Sequence, residues 1–179
     1  MIVQGLFCHD TGKQLVLSKK IAVIGNAGSL LNSSYGNFID KHETVVRFNN
    51  ANISDYTDST GKKTTDLVIN CHVYWNSDLK GEGFSEWESS SEVFDKHKGI
   101  SVLYVNTNYA DKGRGPIPKD MPFYIMKKEY FDNCQNSPYN LPKIPTVGFA
   151  TICCLVKSGF KPNIFGFTAD KNSKWDHYF

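Results

Sequence analysis

The 179-residue chain has no unbroken apolar stretch approaching the roughly 18 residues that a membrane-crossing helix needs, so no membrane segment is expected. Excess charge of one sign is missing too. Twenty Lys and Arg stand against 18 Asp and Glu, and a net +2 gives no reason to expect nucleic acid or a membrane surface as partner. Cysteine is sparse: Cys8, Cys71, Cys134, Cys153 and Cys154 form no Cys-x-x-Cys and no zinc-type spacing. An odd count without an export signal favours reduced thiols. Met1 to Leu17 is interrupted by His9, Asp10 and Lys13 and does not read as a signal peptide, so a cytoplasmic chain is expected. No repeat or low-complexity run is visible.

What remains is ordinary globular usage, 40% hydrophobic and 21% charged, in a chain of single-domain length. One domain over residues 1–179 is predicted. Ile21 to Gly25, Thr44 to Asn49 and Thr65 to Asn70 are short apolar runs of the kind that buried parallel strands give. Ile100 to Val105 and Asn163 to Phe167 read the same way. Tyr35, Phe38 and Ile39 share a helical face. From Thr146 the period turns helical, with Val147, Ala150, Thr151, Cys154 and Leu155 on one side, Thr146 at the cap and Gly159 at the stop. Residues 1–20 show no clear periodicity beyond Leu15 to Leu17 and read as a leading strand or arm, and 121–131 reads as strand or helix. Residues 54–63, 77–83, 106–120 and 133–143 read as surface loops or irregular chain, and 85–97 as a polar helix. Strands alternating with helices predict an α/β fold, a mainly parallel sheet with helices on both faces.

Three amides punctuate that pattern. Asn26 follows the first buried strand, and Asn49 and Asn70 end the next two. In an open α/β sheet the carboxyl ends of the strands line the ligand crevice, and an amide both donates and accepts. Asn26-Ala27-Gly28-Ser29 is a small-residue loop on which a ligand can close. The helix start at Thr146-Val147-Gly148 offers unpaired N–H groups to a polar or anionic edge. Taken singly, each Asn is an ordinary turn residue; together they describe a polar site.

Ala22-Val23-Ile24-Gly25-Asn26-Ala27-Gly28-Ser29-Leu30, Tyr35-Gly36, Ile39-Asp40, Arg47-Phe48-Asn49 and Gly61-Lys62-Lys63-Thr64-Thr65 resemble the long sialyl motif of the eukaryotic-type sialyltransferases. Pro145-Thr146-Val147-Gly148 through Ile164-Phe165-Gly166-Phe167 is similar to the short motif, and His177-Tyr178-Phe179 to the third. The resemblance implies a GT-A-like (Rossmann-like) sialyltransferase variant that moves sialic acid from CMP-sialic acid to a glycan hydroxyl, inverting at the anomeric carbon. It implies donor contacts at Asn26, Ala27, Asn49, Asn70, Thr146, Val147 and Gly148, and a catalytic His177 at the donor phosphate. It implies no metal and no cofactor beyond the sugar-nucleotide co-substrate. The absence of any Asp-x-Asp agrees, since metal-dependent sugar-nucleotide transferases commonly hold their ion with that pair. Arg47 is expected to pair structurally, and His9, His42, His72 and His97 are given no role.

Two departures accompany the resemblance. Ile21 and Gly159 stand where animal members carry bridging cysteines, which favours the cytoplasmic reading over a Golgi lumen, the setting expected if the chain is a fragment. The family's fourth motif, with its general-base His, is not found before Phe179, so a C-terminally truncated domain is expected. Transfer of another CMP-activated acid sugar such as Kdo, and a non-catalytic CMP-binding module, are the alternatives.

Overall fold

The computed structural model describes residues 1–49, 51, 53–69, 94, 100–104, 117–135 and 146–168. Along the chain the strands are β1 (Ile2–Cys8), β2 (Gln14–Val16), β3 (Ile21–Ile24), β4 (Thr44–Phe48), β5 (Asp66–Ile69), β6 (Ser101–Tyr104), β7 (Phe123–Met126) and β8 (Asn163–Phe165). The helices are α1 (Gly36–Asp40), α2 (Thr57–Thr60), α3 (Lys128–Gln135) and α4 (Val147–Lys157), with a 3₁₀ turn over Gly28–Asn32.

These strands form one sheet in the order β2-β1-β7-β6-β5-β4-β3-β8. From β8 to β7 every neighbour is parallel, and β1 and β2 close the far edge antiparallel. The central strands are apolar throughout because both faces of the sheet are covered. Ile21, Val23, Val46, Phe48 and Val68 face a core shared with Ala150, Cys154 and Leu155 of α4. Ala22, Ile24 and Val45, at the alternate positions, face Leu30 and Ile39 on the other side. The expected α/β architecture, with a mainly parallel sheet between helical layers, is the observed one.

Chain order places the crevice. From β3 to β7 each strand is laid beside the last in one direction, and then α4 leads back to β8 on the other side of β3. That reversal opens a crevice outside the carboxyl ends of β3 and β8. Helix α4 is fixed at both ends. Thr146 Oγ1 accepts from the Phe149 N–H at 3.2 Å. Gly159, at φ +84°, lets the Phe160 N–H reach the Leu155 carbonyl at 3.0 Å and its own N–H reach Val156 at 3.0 Å.

Of the two readings of residues 1–20, the leading strand is present as β1, whose alternation is spoiled at Gly5, a φ +83° position where the register with β2 shifts. Other local expectations change. Residues 121–131 are both strand and helix, β7 and then α3, and α3 continues to Gln135 into the stretch expected to be irregular. Residues 54–63 are not simply a surface loop: α2 lies there, with Ser59, Thr60 and Gly61 buried. The fully buried Arg47 holds this segment, donating from Nε to Lys63 O at 3.0 Å and from Nη2 to Thr60 O at 2.7 Å. Asp40 of α1 holds it from outside, accepting from the Lys62 N–H at 3.1 Å and the Lys63 N–H at 2.9 Å. The loop expected over 77–83 lies outside the described residues, and so do all but Phe94 of the helix over 85–97 and most of the stretches 106–120 and 133–143.

Candidate functional site

Strand β3 runs out at Ile24, and the next residues are held tightly against the end of β8. The Gly25 N–H donates to Phe165 O at 2.8 Å, and the Ala27 N–H to Gly166 O at 3.0 Å. A β-carbon on Gly25 would collide with the Gly166 carbonyl, and one on Gly166 (φ +66°) would sit 2.5 Å from Gly25 O. The two backbones therefore meet with no side chain between them.

This close approach presents Asn26. It is 8% exposed, and its Nδ2 donates to Phe48 O at 3.2 Å, at the end of β4. Only the amide nitrogen can face a carbonyl, so the contact fixes the orientation of the group. Its Oδ1 is then buried and, among the described residues, has no hydrogen-bond partner. An orphaned buried acceptor costs about 1–3 kcal/mol, which a ligand N–H or O–H would recover. The next strand end holds Asn49 in the left-handed region (φ +52°), with its N–H on Val68 O at 2.8 Å. Asn tolerates that conformation better than most residues.

The ring of Phe167 joins this edge to α4. It meets Phe48 edge-on, with centroids 5.9 Å apart and planes at 86°. A β-carbon on Gly25 would lie 2.9 Å from Cε2 of the ring, and one on Gly148 would lie 2.8 Å from Cε1. The ring thus fills the gap between the β3 turn and the first turn of α4. There the N–H groups of Val147 and Gly148 have no intrahelical acceptor, while Thr146 caps that of Phe149. On the same edge, Ser29 Oγ and Thr168 Oγ1 are 3.4 Å apart.

Asn26 and Ala27, Asn49, and Thr146 to Gly148 therefore stand along one edge of the sheet, joined through Phe48 and Phe167, although the two segments lie far apart in the chain. Asn70 and His177 lie outside the described residues. The sequence reading did not single out Phe167 as a site residue. The available signal was the pair of glycines, Gly25 and Gly148, whose missing side chains make room for it. The gathered groups carry no charge: they are amides, helix N–H groups and an aromatic face. Such a set can hold a polar heterocycle or a sugar diol and can steady an anionic oxygen at the helix N-terminus.

A model of "Glycosyltransferase family 29 (sialyltransferase)" matches residues 17–179. Among curated proteins, the beta-1,6-galactosyltransferase GALT29A of Arabidopsis thaliana is 50% identical over 52 residues, 29% of this chain and 13% of that protein. The beta-galactoside alpha-2,6-sialyltransferase 2 of Xenopus tropicalis is 33% identical over 122 residues, 61% of this chain and 23% of that protein. A crystal structure of a mammalian sialyltransferase, in complex with Gal-beta-1-3GalNAc-ortho-nitrophenol, superposes with a TM-score of 0.66 at 21% identity, covering 92% of this chain and 61% of that one. The chain spans at most about a quarter of the length of the two curated relatives named here. No helix among the described residues is long and apolar enough to cross a membrane.

Proposed function

The chain belongs to glycosyltransferase family 29, the sialyltransferases, and from that premise we propose that it binds a CMP-activated sugar in the crevice beside β3 and transfers sialic acid from it to a glycan hydroxyl. The observation that carries the reading is the Oδ1 of Asn26, buried and without a partner among the described residues, at the strand edge where the α4 N-terminus converges. A cytosine amine or a ribose hydroxyl supplies the hydrogen that this oxygen lacks.

In the reaction the acceptor hydroxyl oxygen forms a bond to the anomeric carbon from the face opposite the phosphate, so the configuration inverts. The bond from anomeric carbon to phosphate oxygen breaks, and its electron pair leaves on CMP. The acceptor proton passes to a general base. Negative charge grows on the phosphate, and donors already in position stabilise it most effectively. The N–H groups of Val147 and Gly148 are candidates for the anionic or polar edge of the donor, and His177 for the departing phosphate. Asn49 and Asn70 are assigned to base and ribose. No step uses a metal, a reading that the missing Asp-x-Asp supports. A glycan bearing galactose is the acceptor class, in keeping with the galactosyl compound bound by the structural neighbour.

A calorimetric titration tests the donor reading. CMP and CDP should bind in preference to UMP, GDP and AMP, with EDTA making no difference. Equal affinity for uridine nucleotides, or a strict need for manganese, would sink it. A second reading concerns the sugar. Half of the residues in one 52-residue stretch are shared with a protein named as a galactosyltransferase, so the same fold could serve another activated sugar. Transfer assays with CMP-sialic acid, CMP-Kdo and UDP-galactose over one set of galactosyl acceptors separate the two. Binding of CMP without transfer from any donor would favour a nucleotide-binding module.

A further inference from the structure

At the opposite end of the same strands lies a cavity of about 300 Å³ that the donor crevice does not use. It is built from the residues that lead into three parallel neighbours: Lys19 and Lys20 before β3, Lys41 and His42 before β4, and Lys161 and Asn163 at the start of β8. At about 3.3 Å per residue, the four residues of β3 put this end roughly 13 Å from the crevice.

Four lysines thus line one hollow, and among the described residues none of them forms a salt bridge with a carboxylate. Asp40, the acid next to Lys41, is turned to the N–H groups of Lys62 and Lys63, and among the described residues Glu43 makes no ion pair either. Lysines often guard exposed strand edges against mispairing. That accounts for Lys161, beside the edge strand β8, but not for Lys19, Lys20 and Lys41, which precede strands inside the sheet. Lys63 adds a further positive group behind the wall, donating to His42 O at 2.5 Å.

Charge is not all the cavity offers. Phe38 forms part of the wall and is 52% exposed, its ring held edge-on against His42 (centroids 5.2 Å apart, planes at 85°) and Phe165 (6.1 Å, 66°). His42 is buried and spoken for. Its Nδ1 faces the carbonyls of Phe38 and Ile39, each at 3.1 Å, so it carries the hydrogen, and Nε2 accepts from Asn163 Nδ2 at 2.7 Å. This fixes the Asn163 amide and leaves its Oδ1 as an acceptor at the rim. Ammonium donors, an oriented amide acceptor and an exposed aromatic ring suit a ring that bears both an acid group and hydroxyls. A bare inorganic ion would use only the first of the three.

We propose that this cavity is a second ligand site, separate from the donor crevice, that takes an anionic sugar: a pyranose carrying a carboxylate, sulfate or phosphate. The acid group sits among the lysines, the C–H face of the ring stacks on Phe38, and a hydroxyl donates to Asn163 Oδ1. The volume matches one sugar unit, at the lower end of small-molecule pockets.

The test is a ¹H–¹⁵N titration of the whole chain at fixed ionic strength with glucuronate, glucose 6-phosphate, glucose and inorganic phosphate. The two sugar acids should saturate with shifts at Lys19, Lys41, His42 and Asn163, and should bind at least about tenfold more tightly than phosphate or glucose. The double variant Lys41→Ser/Lys161→Ser should lose this binding. Phe38→Ser should weaken the sugar acids but not phosphate, and the urea midpoints of both variants should stay near the parent's. Because these side chains are exposed, Lys41→Gln alone serves as a milder check and should lower affinity severalfold. Equal binding of phosphate and sugar acids would reduce the cavity to a general anion trap and overturn the proposal. So would shifts at Asn26 and Gly148 in place of the lysines, or lysine-dependent binding to phosphatidylserine vesicles without any binding of sugar acids.

Discussion

A β-carbon on Gly148 would lie 2.8 Å from Cε1 of Phe167, so the first turn of α4 reaches the ring only where position 148 has no side chain. Gly148→Ala sets two effects against each other. Alanine favours a helix over glycine by about 1 kcal/mol, but the added methyl displaces a ring that is already 40% exposed and can swing outward. Stability should therefore change by less than about 1 kcal/mol, while CMP affinity falls, because the ring no longer bridges the β3 turn and the helix. Urea unfolding and calorimetry on the same variant check both halves. Unchanged CMP binding would remove Phe167 from the site.

Asn49 combines a side-chain role with a backbone one, and two substitutions separate them. At φ +52° an ordinary side chain is strained, so Asn49→Ala should lose roughly 1–2 kcal/mol of stability to left-handed backbone alone. Asn49→Gly removes that strain and should fold close to the parent. Both should lose about 1–3 kcal/mol of CMP binding if the amide contacts the donor. A glycine variant that binds CMP as well as the parent would show that Asn49 is there for its turn.

The sequence made β3, β4 and β5 legible because burial on both faces leaves an unbroken apolar run, and it made α4 legible because Thr146 and Gly159 mark its ends. Strand β1 was legible only as a leading strand or an arm, for a physical reason. Gly5 breaks its alternation and shifts its register with β2, and its other partner, β7, lies more than a hundred residues away, where no local pattern can announce it. Strand β7 and helix α3 blurred into one ambiguous segment because only Lys127 separates them. At the crevice, Asn26, Asn49 and Thr146 stood out by type and position. Phe167 did not, since an aromatic at a strand end looks like core until the two glycines facing it are known. The buried side of residues 59–61 was equally silent, because it depends on Arg47 reaching across to two backbone carbonyls.

The thiols give a prediction about redox state. By the resemblance alone, Ile21 and Gly159 stand where animal members of the family carry bridging cysteines. Ile21 is buried in the core, and Gly159 has the positive φ that closes α4. Cys154, 4% exposed, donates its thiol hydrogen to Gln4 O at 3.1 Å. Burial pushes the Cys8 thiol up, but hydrogen bonds with the Thr11 side chain and with the backbone of Thr11 and Asp10 outweigh it, and its pKa ends below the usual value. Cys8 should therefore be alkylated by iodoacetamide in the folded chain well before Cys153 and Cys154. Intact mass after capping should be the same with and without reductant. A bridge such as Cys71 to Cys154 would overturn the cytoplasmic expectation with it.

Asp66 opens β5 with 4% of its surface exposed, and burial raises its pKa from 3.8 to about 6, against the opposing hydrogen bonds from Thr65 and Ser101. Thr65 Oγ1 donates to its Oδ2 at 2.6 Å. The folded chain thus keeps a proton that the unfolded chain releases, so stability from this group is fully present below pH 3.8 and is lost as pH rises through about 6. The difference corresponds to at most about 3 kcal/mol at neutral pH. Asp66→Asn removes the titration and keeps the shape. Its urea midpoint should match the parent's near pH 4 and exceed it at pH 7, and the gap should open between the two pKa values. The comparison cancels every other titrating group common to both chains. A gap that stays constant from pH 4 to pH 7 would mean that Asp66 ionises normally in the fold, with water or another donor reaching it at the amino end of β5.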